Sequence, residues 1–371
     1  MLVSALALLG GVRLLWPRTD VTAQLAFVES ALDAGADTAA QQQFPEGHLF
    51  LNALWGLASV QAGQLDDARI ALRRIESDEG KAPFTESLRP AHGIFWAGWS
   101  NWLRANIVAR DPDGLEAETF RAASAEIAAA FDASDTPFLP AYPGSAWPVD
   151  ATVAIASIRL HDKVFGARFE PTVQRWLDRA KARLDPATGL LPHRDGAPGA
   201  RATSAAMMAV FLPEIDAGFA RDQYLKFRAA FVTHPLGFGP AVREYPRGTT
   251  GAGDVDSGPL VLGVSASATV VTLAAARANG DLALARALAG TGELIGVPVR
   301  TPHTKRYAFG AVPIADAFLV WAATTPERGT VESDLAWWWP LPWLTVLLAA
   351  GAGPWGLVYF SRKQRHAGTR T

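Results

Sequence analysis

Along this chain apolar residues recur at three- and four-residue steps, while runs that alternate apolar and polar are scarce. That periodicity predicts helices rather than strands. Six segments rich in Ala, Leu, Val and Trp begin near Glu46, Gly93, Trp147, Arg201, Ser257 and Ala311. They recur at about 50 residues, a period that suits a helical-hairpin unit. Each is apolar nearly all round, as a helix covered on both sides must be. The first five are each followed by a segment with one polar face: LDDARIALRRIE, GLEAETFRAASAEIAAAF, FEPTVQRWLDRAKARL, FARDQYLKFRAAFV and DLALARALAGTGELI. The sixth, AVPIADAFLVWAA, has no such follower, but VTAQLAFVESALDAG at residues 21–35 precedes the first and has no partner. Placed beside the sixth it completes a ring. The expected fold is therefore all-α: an (α/α)6 toroid over residues 20–330, with inner helices between an outer layer and a central funnel. An open α-solenoid of hairpins is the alternative.

The two ends read differently. From Leu335 to Phe360 the chain holds no charged residue, long enough to cross roughly 30 Å of hydrocarbon as a helix. Trp337, Trp338, Trp339 and Trp343 lie toward one end of the run and Trp355 and Tyr359 toward the other, the pattern of two interfacial aromatic belts. A transmembrane helix is expected over 335–360, followed by a basic tail, 361–371, carrying Arg362, Lys363, Arg365 and Arg370. The positive-inside bias puts that tail in the cytoplasm and the main domain outside, at the cell membrane. Residues 1–17 form a short apolar segment interrupted by Arg13, read as an anchor or signal-like segment without a clear cleavage site.

Composition narrows the chemistry. The chain has no cysteine, which excludes disulfides, thiolate nucleophiles and Cys-ligated zinc. Without the basic tail the body is acidic, so nucleic acid is not an expected partner. No P-loop, G-x-S-x-G or H-E-x-x-H is present. The D-x-D-S-G string at Asp254–Gly258 lacks the other ligands of a calcium loop. No metal or cofactor is expected.

The connections fall into two kinds. Links from inner to outer segments are short, such as QAGQLDD and RDPDG. Links from outer to inner segments are long and rich in Gly, Pro, aromatics and ionisable groups, and in a ring they share one rim. They hold His48, His92, His193, His303, Glu46, Glu244, Tyr142, Tyr245 and Tyr307. Long loops on a rigid scaffold are where binding and catalytic residues concentrate. Asp150, Asp254 and Asp256 stand at expected inner-helix starts, where each can be a rim carboxylate or merely a helix-start residue. Two neighbouring acids disfavour double ionisation and push one pKa up, which suits proton transfer. Trp147 offers a stacking surface. Trp96, Trp99 and Trp102 share a helix face, with Trp96 and Trp99 nearest the rim.

With this layout the chain resembles the six-hairpin (α/α)6 enzyme superfamily over roughly residues 21–325, including a local piece, LDPATGLLPHR at 184–194, similar to the D-x-x-T-G-L connection common there. The resemblance implies glycoside hydrolase, polysaccharide lyase or epimerase chemistry, or terpenoid chemistry of the linalool dehydratase-isomerase type. It departs from the latter in lacking cysteines, and from the D-x-D-D of class II terpene cyclases by one acid. The leading expectation is an enzyme of glycosidase, lyase or isomerase type on a glycan or glycoconjugate. Asp150 and Asp256 would be the catalytic carboxylates, with Glu244 as substitute. Asp254, Tyr142, Trp147, His48, His92, His193, His303, Tyr245, Tyr307 and Trp96 would bind substrate. The second expectation is a terpenoid or lipid-type dehydratase or isomerase taking substrate from the membrane, which requires a funnel lined mostly by apolar groups. The third is a non-catalytic binding or scaffold protein, with no close carboxylate pair.

Overall fold

The structure is a computed structural model and describes residues 1–353. Its helices are, in order, α1 (Leu2–Leu15), α2 (Val21–Asp33), α3 (Ala36–Gln43), α4 (Gly47–Ala62) and α5 (Leu65–Glu76). Then come the single turn α6 (Asp78–Lys81), α7 (Gly93–Val108), α8 (Ala117–Asp132), α9 (Pro148–Phe165) and α10 (Glu170–Lys181). The last named are α11 (Ala202–Ile215), α12 (Ala217–Phe231), α13 (Ala266–Ala278), α14 (Leu282–Ile295) and α15 (Pro313–Thr324). Among the described residues the only sheets are two antiparallel pairs in loops. They are β1 (Val232–Thr233) with β2 (Ala241–Val242), and β3 (Val299–Arg300) with β4 (Lys305–Arg306). The fold is all-helical, as the periodicity predicts.

Burial separates two helix classes. In α4 an almost unbroken run from Gly47 to Val60 is buried. In α5 only Ala68, Ala71, Leu72 and Ile75 are, the single stripe of a helix with one face in water. The fully buried helices pack in a cyclic order: α4 on α7, α7 on α9, α9 on α11, α11 on α13, α13 on α15, and α15 back on α4. The amphipathic helices α5, α8, α10, α12 and α14 each pack on the buried helix before them, and α2 packs on both α15 and α4. Close approach within the buried layer needs small residues. A Cβ at Gly98 of α7 would lie 3.1 Å from Ala154 Cβ of α9.

Aromatic rings fill the middle of this cycle. Phe50 packs edge-on against Trp99 with centroids 5.3 Å apart; Trp99 and Trp102 each pack on Phe211, and Phe211 stacks on Trp321. Residues 325–331 close the end below them. Gly329 N and Val331 N donate to Ala278 O and Asn279 O at 2.8 Å, and Arg328 lies over the Trp102 ring while bonding Glu214.

Five of the six apolar segments start within two residues of their expected positions: α4, α7, α9, α11 and α15. The fifth does not. α13 begins at Ala266, nine residues after Ser257. Gly258, Leu262 and Gly263 take left-handed backbone conformations and break the helical path. Ser265 then caps the helix by accepting from Ala268 N at 3.0 Å. Neither Asp254 nor Asp256 is therefore a helix cap.

The expected transmembrane helix also needs correction. No helix among the described residues is long and apolar enough to cross a membrane. Residues 337–340 form a turn and helix begins only at 341, bracketed by Pro340 and Pro342. The rest of the expected span beyond residue 353, and the basic tail 361–371, lie outside the described residues. α1 has 14 residues, about 21 Å at 1.5 Å each, against roughly 30 Å of hydrocarbon. It packs against α14 so closely that a Cβ at Gly290 would lie 2.1 Å from Leu14 O. Residues 341–353 lie along it, with Ser4 Oγ donating to Gly351 O at 2.8 Å.

Candidate functional site

A cavity of about 670 Å³ opens among the N-terminal turns of the six buried helices. Every one of them contributes to its wall: Phe50 from α4, Phe95 and Trp99 from α7, Val149 and Asp150 from α9. Thr203, Ser204 and Met207 come from α11, Val270 and Val271 from α13, and Ile314 and Phe318 from α15. Loop residues Phe44, Glu46, Tyr142, Trp147, His193, Val255, Asp256 and Val312 complete it. Apolar and aromatic side chains predominate, and Phe50, Trp99 and Phe318 belong to the aromatic stack below.

Three carboxylates, Glu46, Asp150 and Asp256, line this mostly apolar space. Asp150 is buried in the first turn of α9, placed there by Trp147 in extended conformation and Pro148 at the first helical position. Its carboxyl makes no hydrogen bond to any described residue. Burial, then Glu46, then Asp256 push its pKa well above the ordinary carboxylate value, against the helix N-terminus that favours the anion. Asp256 stands at the mouth, exposed over the residue as a whole. Burial of the carboxyl end, Asp254 and Glu46 raise its pKa against the pull of Arg201. Tyr142 donates its hydroxyl to Glu46 Oε1 at 2.5 Å. Its own pKa is raised by burial and by that bond, so it stays a donor.

Arg201, just before α11, organises one side of the mouth. Its Nε donates to Glu244 Oε1 at 2.8 Å, its other branch pairs with Asp254, and its guanidinium lies over the Tyr245 ring. Glu244 is fully buried, takes a second bond from Thr203 Oγ1 at 2.8 Å, and does not line the cavity. Burial raises its pKa although Thr203 and Arg201 oppose this. Asp254 is opposite in sign. Burial alone would raise it, but Arg201 and the Ser257 backbone hold it down to about 2. Of the two aspartates one residue apart, Asp254 pins the loop and Asp256 faces the cavity.

His193 reaches the wall through a loop built on Asp185. That buried carboxylate accepts from Thr188 N at 3.0 Å, Thr188 Oγ1 at 2.6 Å and Gly199 N at 3.0 Å. Gly199 O in turn accepts from His193 N at 2.9 Å. The D-x-x-T-G-L piece is thus a loop clamp. Burial and then Arg201 lower the His193 pKa to about 4, with Asp254 opposing, so the ring is neutral near pH 7. Its Nδ1 lies 2.6 Å from Ser204 Oγ.

Five sequence-predicted residues line the cavity: Asp150, Asp256, Tyr142, Trp147 and His193. The others lie elsewhere. His48 is in the core between α3 and α4, its Nε2 3.4 Å from Asp37. His92 packs on Trp96, whose indole donates to Ile75 O. Tyr245 bonds Ala252 O within its own loop. Tyr307 bonds buried Glu293 at 2.7 Å, and His303 is exposed at the β3–β4 turn. Glu46 had no role beyond its loop position in the sequence, and Ser204 had no signal there; Trp99 is the wall residue of its helix rather than Trp96.

No protein-family model matches the chain, and no curated protein matches it.

Proposed function

We propose that the chain is a closed (α/α)6 toroid whose cavity performs acid–base chemistry on an apolar alcohol or alkene of isoprenoid or lipid type, as a dehydratase or isomerase. The cyclic packing order of the buried helices supports the closed ring. The observation that carries the chemistry is Asp150, a buried carboxyl without a hydrogen-bond partner in an apolar, aromatic-floored cavity. Burial and two neighbouring acids push its pKa well above the ordinary carboxylate value, which favours the protonated form. Such a group is a proton donor poised for an uncharged substrate.

In a dehydration, Asp150 gives its proton to the substrate hydroxyl, the C–O bond breaks and water leaves. Glu46 or Asp256 takes a proton from the adjacent carbon, and its C–H electron pair forms the C=C bond. Positive charge developing on carbon is stabilised by the aromatic rings of Phe50 and Trp99, which line the cavity. The proton then returns from the acceptor carboxyl to Asp150. Neutral His193 and Ser204 are placed to hold the hydroxyl.

A second reading, hydrolysis or lysis of a glycan, rests on Trp147 beside several carboxylates. One experiment separates them. The full chain is incubated in D2O with a panel of isoprenoid alcohols and alkenes, and separately with a glycan library, and products are read by mass spectrometry. Alkene formed from an alcohol, or an isomer or hydrated product carrying deuterium on carbon formed from an alkene, supports the first reading, cleaved glycan the second, and no product from either panel refutes both.

A further inference from the structure

Six non-glycine residues among those described have left-handed backbone conformations, and all six lie in the long connections on the cavity side. Four are large, apolar and exposed in these loops: Leu236 (82% exposed), Leu262 (67%), Val297 (50%) and Phe309 (74%). A left-handed conformation costs an L-residue ~1–2 kcal/mol, and glycine or asparagine relieves it. Exposure in water gains an apolar side chain nothing. These four positions are therefore unfavourable twice over in water, whereas contact with hydrocarbon returns ~1.5–3 kcal/mol for each side chain buried. In the short links at the opposite end the exposed large apolar residues are Leu115 and Leu282.

The apolar segments 2–9 and 341–353 stand on the same side. Gly290 of α14 packs at Leu14 and Leu294 at Gly10. The first eight residues of α1 therefore run about 12 Å past the end of α14, on the side of the cavity mouth. Leu2 to Val12 contains no charge. Residues 341–353 run antiparallel to it, Leu344 meeting Gly11 and Gly351 meeting Ala7. Trp343 Nε1 donates to Gly239 O at 3.1 Å, which joins this pair to the loop that carries Leu236. In the sequence the uncharged run continues to Phe360, and Arg362, Lys363 and Arg365 follow. A basic cluster after an apolar run is a sequence pattern that suits anionic headgroups, though these cations lie outside the described residues; exposed Trp337 and Trp338 suit the membrane–water boundary.

We infer that the rim around the cavity mouth is a docking face for a lipid bilayer with anionic headgroups, so that the cavity opens onto the membrane surface. An apolar substrate then enters without crossing water. The inference goes beyond the cavity chemistry and is tested with no turnover, so its failure leaves that chemistry standing.

Because the chain has no cysteine, single labels are clean. Full-length F309C, L262C and the opposite-end control L115C carry an environment-sensitive dye. They are mixed with vesicles of phosphatidylcholine alone or with phosphatidylglycerol. The expected result is a blue shift and protection from an aqueous quencher at 309 and 262 but not at 115, larger with phosphatidylglycerol. Equal wetting at all three sites on vesicle-bound protein overturns the inference, as does failure to bind vesicles. Rim labels that are already dry without lipid also overturn it, pointing to a second copy or another protein as occupant. The quadruple variant L236N/L262N/V297N/F309N should melt no lower than the parent yet partition to vesicles at least about tenfold more weakly. Unchanged partition of a folded quadruple variant contradicts the proposal.

Discussion

Replacing Asp150 with asparagine should abolish activity and stabilise the fold, and the two effects arise from one cause. The carboxyl is buried, bonds to no described residue, and is pushed up by burial, Glu46 and Asp256. Its folded pKa thus stands above the unfolded value of about 3.9. The native state keeps a proton that the unfolded chain loses, so stability falls as pH rises from about 4 to the folded pKa. An asparagine side chain at this position has the same shape and no such slope. Each pH unit between the two pKa values is worth ~1.4 kcal/mol, or roughly 2 °C or more in Tm. D150N should therefore melt above the parent at pH 8 and with it near pH 3.5. Loss of a general acid lowers turnover by ~10²–10⁴. Paired melting curves across pH, with product formation on whichever panel compound the parent turns over, check both parts. Turnover within about threefold of the parent would refute the role of Asp150. A variant less stable than the parent at every pH would show that the carboxylate is held ionised.

Other consequences follow from the surrounding groups. His193 should titrate near 4 by NMR; because this lies below its unfolded pKa of about 6.5, stability from this group is lost as pH falls from about 6.5 to about 4. A midpoint near 6.5 would place the ring in water. Asp316, buried and bonded to Tyr307 N, is raised to about 7 by burial despite that bond and Arg306. Its contribution to stability should decline from about pH 4 to about pH 7, and D316N should flatten that decline in a pH series of chemical melts. R201M leaves Glu244 buried without its cation and should cost ~3–5 kcal/mol; the double variant R201M/E244L should recover part of it, and a double-mutant cycle reads the coupling. D185A removes three bonds that order the His193 loop and should cost about 3 kcal/mol or more, seen as a lower denaturation midpoint.

The helical rhythm was legible because inner helices start at strong local signals: Gly47, Gly93, Pro148 and Pro313 stand at or beside the breaks in periodicity. The start of α13 was not, since Pro259 mimics a first-turn proline, while the cap is Ser265 and left-handed turns lie between. Part of the site was legible from loop position, as for Asp150, Asp256, Tyr142, Trp147 and His193. Sequence cannot tell a rim side chain aimed at the cavity from one packed beneath a loop. That distinction was decided for Glu244 and Asp254 by Arg201, 43 and 53 residues away in the chain. Ser204 gave no signal because a serine inside an apolar helix is ordinary until a histidine meets it. The long uncharged run suggested one spanning helix, but Pro340 and Pro342 delay helix formation to residue 341.

The central claim is that the cavity holds a neutral carboxylic acid at Asp150. Infrared difference spectroscopy between the parent and D150N, titrated in H2O and D2O, tests it directly. A carboxylic-acid carbonyl band that persists at pH 7, shifts in D2O and is absent from D150N is the predicted result. A difference spectrum at pH 7 containing only carboxylate bands would contradict it.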